Sequence, residues 1–134
     1  MSKKFEVIDY SRDDDSYMYS DTDYYWHVRS LQSGDELADY SGSDCENSAG
    51  RTRSGIRTVT LDEENLTVTA VPYEGDPKVL ELPEKITFVD GGAKIALHYR
   101  DGRVDERERR RVCMTSKYGE PTFLPLKRDP DKKK

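Results

Sequence analysis

The sequence predicts an all-β or β-rich fold, a small antiparallel barrel or sandwich of about six to eight short strands laid down as successive hairpins. Three observations predict it. Several runs alternate apolar with polar residues at period two, as a sheet with one solvated face requires. Glycine-containing turn sequences, Asp90-Gly91-Gly92 and Asp101-Gly102, stand between such runs. β-Branched residues on both sides of the polar turn Asp62-Glu63-Glu64-Asn65 favour pleated strand over helix.

Residues 4–10 alternate as a first strand with Phe5 and Val7 on one face, and the polar run at 11–16 predicts a loop, because Asp and Ser bond their own backbone. Residues 24–31 form the clearest aromatic strand, with Tyr24, Trp26 and Val28 on one side. A turn at Ser33-Gly34-Asp35-Glu36 lets residues 37–40 return. Residues 41–55 hold almost no apolar side chain, so burial cannot offset the entropy of fixing them, and a long mobile loop is expected there. Residues 58–61 and 66–70 flank the polar turn as the strongest hairpin. Strands follow at 79–82, before Pro83, and at 86–89. After the turn at Asp90, residues 93–99 return with Ala93, Ile95, Leu97 and Tyr99 sharing a face. Asp101-Gly102 predicts a two-residue hairpin turn. The charged run beyond it reads as an edge strand or as a short helix near 104–113, with Asp105 as its cap and Glu106 paired to Arg110; strand is the preferred reading.

A chain of 134 residues fits one β-rich domain over 1–128, with a disordered charged tail at 129–134. Its core is lean. Hydrophobic residues make up 34% and charged residues 37%, against about 45–50% and 25% in an average domain. Nine tyrosines help to close the gap, since each ring adds apolar area while its hydroxyl finds a polar partner. The first 65 residues carry 7 basic and 15 acidic side chains, the remainder 15 and 12. Such asymmetry either marks an acidic face for a basic partner or draws two halves of one fold together.

No stretch approaches the ~20 apolar residues of a membrane span, and Met1-Ser2-Lys3-Lys4-Phe5 lacks the apolar run of a secretory signal, so no membrane is expected and the cytoplasm is the expected location. Cys45 and Cys113 match no paired spacing and are read as free thiols, with a single disulfide between them as the alternative.

No cofactor, metal or catalytic residue is expected. His27 and His98, the only histidines, fall opposite the apolar positions of their strands and read as ordinary surface or edge residues. An enzyme using His98 with a nearby carboxylate is the least supported class. The acidic segment from Asp13 fails as a calcium loop, with Met18 where glycine is needed and Tyr24 where glutamate is needed. Arg53 and Arg57 stand four apart, as do two arginines of cyclic-dinucleotide-binding PilZ barrels, but the downstream Asp/Asn, Ser and Gly of that pattern are missing and the family is not assigned.

Two binding surfaces are left. Tyr10, Tyr17, Tyr19, Tyr24, Tyr25 and Trp26 crowd the first 26 residues beside Asp13, Asp14 and Asp15. Tyrosine and tryptophan bury large area with few rotors to freeze, so Tyr17, Tyr19, Tyr24 and Tyr25 with the three aspartates are the expected contact residues for another protein. The leading expectation is therefore a non-catalytic interaction protein of adaptor or inhibitor type. Arg107, Arg109, Arg110 and Arg111 support the alternative, a small β-barrel that binds RNA or single-stranded nucleic acid through its phosphates. Against it stand the interleaved acids Asp105, Glu106 and Glu108 and the net charge of -5.

Overall fold

The computed structural model describes residues 3–113 and 122–125, with side chains described through Val112. Six strands follow one another as an antiparallel meander: β1 (Phe5–Ser16), β2 (Tyr19–Ser30), β3 (Glu36–Asn47), β4 (Gly50–Asp62), β5 (Thr67–Pro72) and β6 (Lys78–Glu81). A second antiparallel sheet contains β7 (Lys85–Val89), β8 (Lys94–His98) and β9 (Val104–Glu108), with a 3-10 turn at Asp90–Gly92 between its first two strands. A third pairing joins β10 (Arg110–Cys113) to β11 (Thr122–Pro125). The fold is all-β, as the alternation predicts, and its sheets are open. The described strands number eleven, more than the six to eight expected.

The two larger sheets bury apolar faces against each other. Phe5, Val28, Leu37, Leu66 and Val68 from the meander meet Ile86, Ile95 and Leu97 from the second sheet, with Leu82 at the crossing between them. Each such aliphatic contributes roughly 1.5–3 kcal/mol when fully buried. Tyr40 and Tyr99 pack against this cluster, the use of tyrosine that the lean aliphatic count requires. The hairpin predicted across the turn at 62–65 forms as β4 and β5. Asp62 organises its turn by accepting from the Asn65 backbone N–H at 3.1 Å and from Asn65 Nδ2 at 2.8 Å, and these bonds hold its carboxyl below the usual carboxylate range.

Three local expectations are corrected. The loop at 11–16 is strand: β1 continues to Ser16 in register with β2, Asp13 opposite Thr22 and Asp15 opposite Ser20. Its weak intrinsic preference is overridden by pairing: the ladder with β2 runs unbroken from Phe5 to Ser16, and Thr22 Oγ1 bonds Asp13 across it. The mobile loop at 41–55 is a second hairpin, with Ser48 and Ala49 at its tip. Here cross-strand charge replaces burial: Asp44 sits opposite Arg53 and Glu46 opposite Arg51, and Arg51 reaches Asp44 in a two-pronged bond at 2.9 and 2.7 Å. The segment 104–113 follows its preferred reading as strand, interrupted at Arg109, because β9 completes the second sheet by pairing with β8. The turn before it holds one residue more than predicted: Tyr99 N–H donates to Arg103 C=O across Arg100, Asp101 and Gly102, the last at φ 98°. The charged tail at 129–134 and the Cys113 side chain lie outside the described residues.

Candidate interaction surface

Strands β1 to β4 are longer than the core beneath them. From Ser11 to Ser20 and from Glu46 to Gly55 every residue is exposed, so the distal halves of the four strands form an arm with two solvated faces. Across 11–24 and 42–55 the arm carries seven carboxylates and three arginines. At its tip a two-residue loop, Tyr17-Met18, presents a tyrosine 98% exposed and a methionine 62% exposed. Neither supports the fold. Burying both would remove large apolar area from water, the property expected of a contact residue.

All seven predicted contact residues lie on this hairpin, but strand parity divides them. Asp13, Asp15 and Tyr24 share one face, while Asp14, Tyr19 and Tyr25 share the other. Tyr24 and Tyr25 are half-buried: Tyr25 stacks on Tyr10 at 4.8 Å between ring centroids, and Tyr24 stacks on Trp26 at 6.2 Å. Thr22 Oγ1 donates to Asp13 at 2.8 Å. Aspartates on an outer strand also blunt its free backbone edge against pairing with another chain.

Tyr19 marks how charged the arm is. Its hydroxyl donates to Asp21 at 3.0 Å, and that bond, reinforced by the neighbouring negative charge, pushes the phenol up to about 12. An ultraviolet titration is expected to place Tyr19 near that value, and Asp21→Asn should return it toward the ordinary 10.0, leaving Tyr40 and Tyr99, raised by burial, where they were.

The arginines of the alternative are dispersed. Arg109 is bound to fully buried Asp35 at 3.0 Å, donates to the carbonyls of Ser33 and Gly92, and lies over the Phe88 ring at 4.8 Å. Arg107 donates to the Leu37 carbonyl at 3.1 Å, Arg110 pairs with Glu36 at 3.2 Å, and the Arg111 side chain lies against Gly34. Together they tie the β9–β10 segment to the turn between β2 and β3. Charge asymmetry between the halves thus serves, in part, to join them.

His27 is a further correction. It is 5% exposed, not a surface residue. A bulge in the β2–β3 register at Val28/Arg29 lets Leu37 and Ala38 both pack toward the core, which leaves Glu36 and Asp39 on the other face with His27. His27 Nδ1 lies 2.6 Å from Glu36 Oε2, and the imidazole stacks on Tyr10 at 5.7 Å. The ligand atoms of His27, Glu36 and Asp39 lie within 4.8 Å of one another. Glu36 is compensated from two sides, by His27 and by Arg110, while Asp39 is exposed and the buried His27 Nε2 makes no hydrogen bond among the described residues. His98 shares a 2.8 Å hydrogen bond with the Thr87 hydroxyl, and Cys45 is a half-buried free thiol.

A feature that the sequence did not disclose lies where the core face of the meander emerges into solvent. Asp9 stands opposite Trp26, and Ser11 opposite Tyr24. These four side chains share a face, and together with Tyr10 and Tyr25 the four residues line a concavity of about 230 Å³. Period-two spacing groups Tyr24 with Trp26, but Asp9 joins them only through the β1–β2 register.

Among the described residues no helix is long and apolar enough to cross a membrane. Comparison of the chain with protein-family models, with curated proteins and with solved structures found no match.

Proposed function

We propose that the protein is a non-catalytic binding module whose acidic β1–β4 arm engages a basic macromolecular partner, most directly another protein. The observation that carries this reading is the tip: an exposed Tyr17-Met18 pair on an arm whose own carboxylates outnumber its arginines by seven to three. Carboxylates around the tip would draw a basic surface toward it and accelerate encounter, while Tyr17 and Met18 would supply the apolar area that slows departure. The arginine run supports a polyanion partner less well, because Arg109 is spent on Asp35 and its neighbours point to different carbonyls and carboxylates.

A photo-crosslinking residue placed at position 18 in the full chain tests the proposal in cells. It is expected to trap a discrete basic protein, and Tyr17→Ser should abolish trapping while shifting unfolding by less than about 0.5 kcal/mol, as for a surface change. Asp13→Asn, Asp14→Asn and Asp15→Asn together should slow association and flatten its dependence on salt. Trapping of nucleic acid alone, or no discrete product, would overturn the reading.

A further inference from the structure

We infer that the concavity walled by Asp9, Ser11, Tyr24 and Trp26 is a binding site for an arginine side chain of the protein partner; the inference rests on the reading above, that the partner is basic. Three observations converge on this chemistry. First, Trp26 and Tyr24 stack at 6.2 Å and 26° between planes, so they offer two nearly parallel aromatic faces, and both are half-buried, which fixes them before any ligand arrives. A guanidinium is planar, weakly hydrated and attracted to such faces. Second, Asp9 lies directly across the strand from Trp26, at the separation that lets cross-strand side chains meet, and it is exposed and makes no ion pair among the described residues. Its carboxylate can accept two parallel N–H bonds from a guanidinium lying over the indole.

Third, the surrounding charge has the right sign. Asp13, Asp15, Asp44 and Glu46 continue this face along the arm; its two arginines, Arg51 and Arg53, are both held by Asp44, and Arg12 projects to the opposite face. The volume of about 230 Å³ admits a guanidinium with the end of its methylene stem. Position adds a reason of its own. The concavity sits at the base of the arm, where the apolar face of the sheet comes out from beneath its partner, so a chain lying along the arm from the Tyr17-Met18 tip would pass over it. Specificity follows from the combination: an ammonium would gain the charge of Asp9 but would lose both the stacking and the forked hydrogen bonds.

Trp26 is the chain's single tryptophan, so its fluorescence reports the site. Full-length protein is titrated with acetyl-arginine-amide, with its neutral citrulline counterpart and with acetyl-lysine-amide. A saturable response to the arginine probe is expected, with citrulline at least about tenfold weaker, and Asp9→Asn should reduce arginine binding to about the citrulline level. Asp9 is exposed, so this variant keeps its melting temperature, which is measured alongside. Tyr17→Ser leaves the response unchanged. A response equal for arginine and citrulline, a lysine probe as strong as arginine, or wild-type affinity in Asp9→Asn overturns the assignment. Failure here with trapping at position 18 intact removes this site alone, whereas loss of trapping with the arginine response intact removes the arm as the contact.

Discussion

Replacing Arg109 with alanine is expected to destabilise the protein by about 3–5 kcal/mol, enough to consume much of the stability of a small domain. Asp35 is fully buried, and its carboxylate receives Arg109 Nε at 3.2 and 3.1 Å and Nη2 at 3.0 Å. Without the guanidinium a carboxylate stays behind in a medium that solvates it poorly, and that stranded charge, more than the lost attraction, sets the cost. Two further contacts go with it: Ser33 and Gly92 lose their donor, and Phe88 loses the cation above its ring. The same account predicts a recovery. Asp35→Asn combined with Arg109→Met removes both charges while keeping most of the volume, and should return much of the loss. Urea unfolding of the wild type, each single variant and the pair forms a double-mutant cycle whose coupling energy reports the interaction. Near-additive losses would show that the pair does not act as a unit. Arg109→Lys should fall between, because an ammonium cannot hold two carboxylate oxygens and two carbonyls in one plane.

That arginine also shows where sequence reading stops. The run Arg107-Glu108-Arg109-Arg110-Arg111 looks uniform as text. In the fold Arg109 sits at the break between β9 and β10 and is nine-tenths buried, while Arg107 on β9 and Arg110 on β10 reach different partners. Strand character and the hairpin across Asp62–Asn65 were legible because β-branched alternation is a local signal. Burial of Asp35 and His27 was not, since each depends on which strand lies above it. The arm falls between these cases. Residues 41–55 lack apolar side chains, and judged by burial alone they cannot be ordered. Yet they hold two acids, the turn sequence Asn47-Ser48-Ala49-Gly50 and then two arginines, arranged so that folding back at the turn sets opposite charges across from each other. Charge complementarity about a turn was the signal available, and hydrophobic patterning is blind to it. Likewise Tyr17 reads from sequence as a contact residue or a core residue alike, and Met18 as neither; only the two-residue loop between β1 and β2 puts both beyond the reach of any core.

Two glycines set the direction of the arm, and a methyl group on one of them is expected to cost about 3 kcal/mol. Gly42 and Gly55 face each other at the end of the β3–β4 ladder, after which β4 leaves β3 and begins to pair with β5 at Ile56. A Cβ on Gly42 would lie 2.0 Å from the Ile56 carbonyl oxygen and 3.0 Å from its carbon. Those are backbone atoms, so no side-chain rotation relieves the overlap, and β4 itself must move. Gly55 is constrained twice over: its φ of +77° favours glycine, and a Cβ there would meet the Ser41 carbonyl oxygen at 2.5 Å. Gly42→Ala should therefore lower the urea midpoint strongly, and Gly55→Ala at least as much. Gly50→Ala is the control at the arm tip, where a Cβ meets nothing within 4 Å, although φ +133° leaves some backbone strain. Its loss comes from backbone strain alone, about 1–3 kcal/mol, with no steric overlap added. The comparison separates two ideas of the arm. If Gly42→Ala unfolds the protein cooperatively, the arm and the core share one continuous sheet, and a partner held at Tyr17 is felt in the core. If instead the arm alone frays, seen as lost amide protection confined to residues 11–24 and 42–55, then the glycine pair is a joint between independent units. The crossing of β4 from one neighbour to the other makes the cooperative outcome the expected one, because β4 cannot shift against β3 without also shifting against β5.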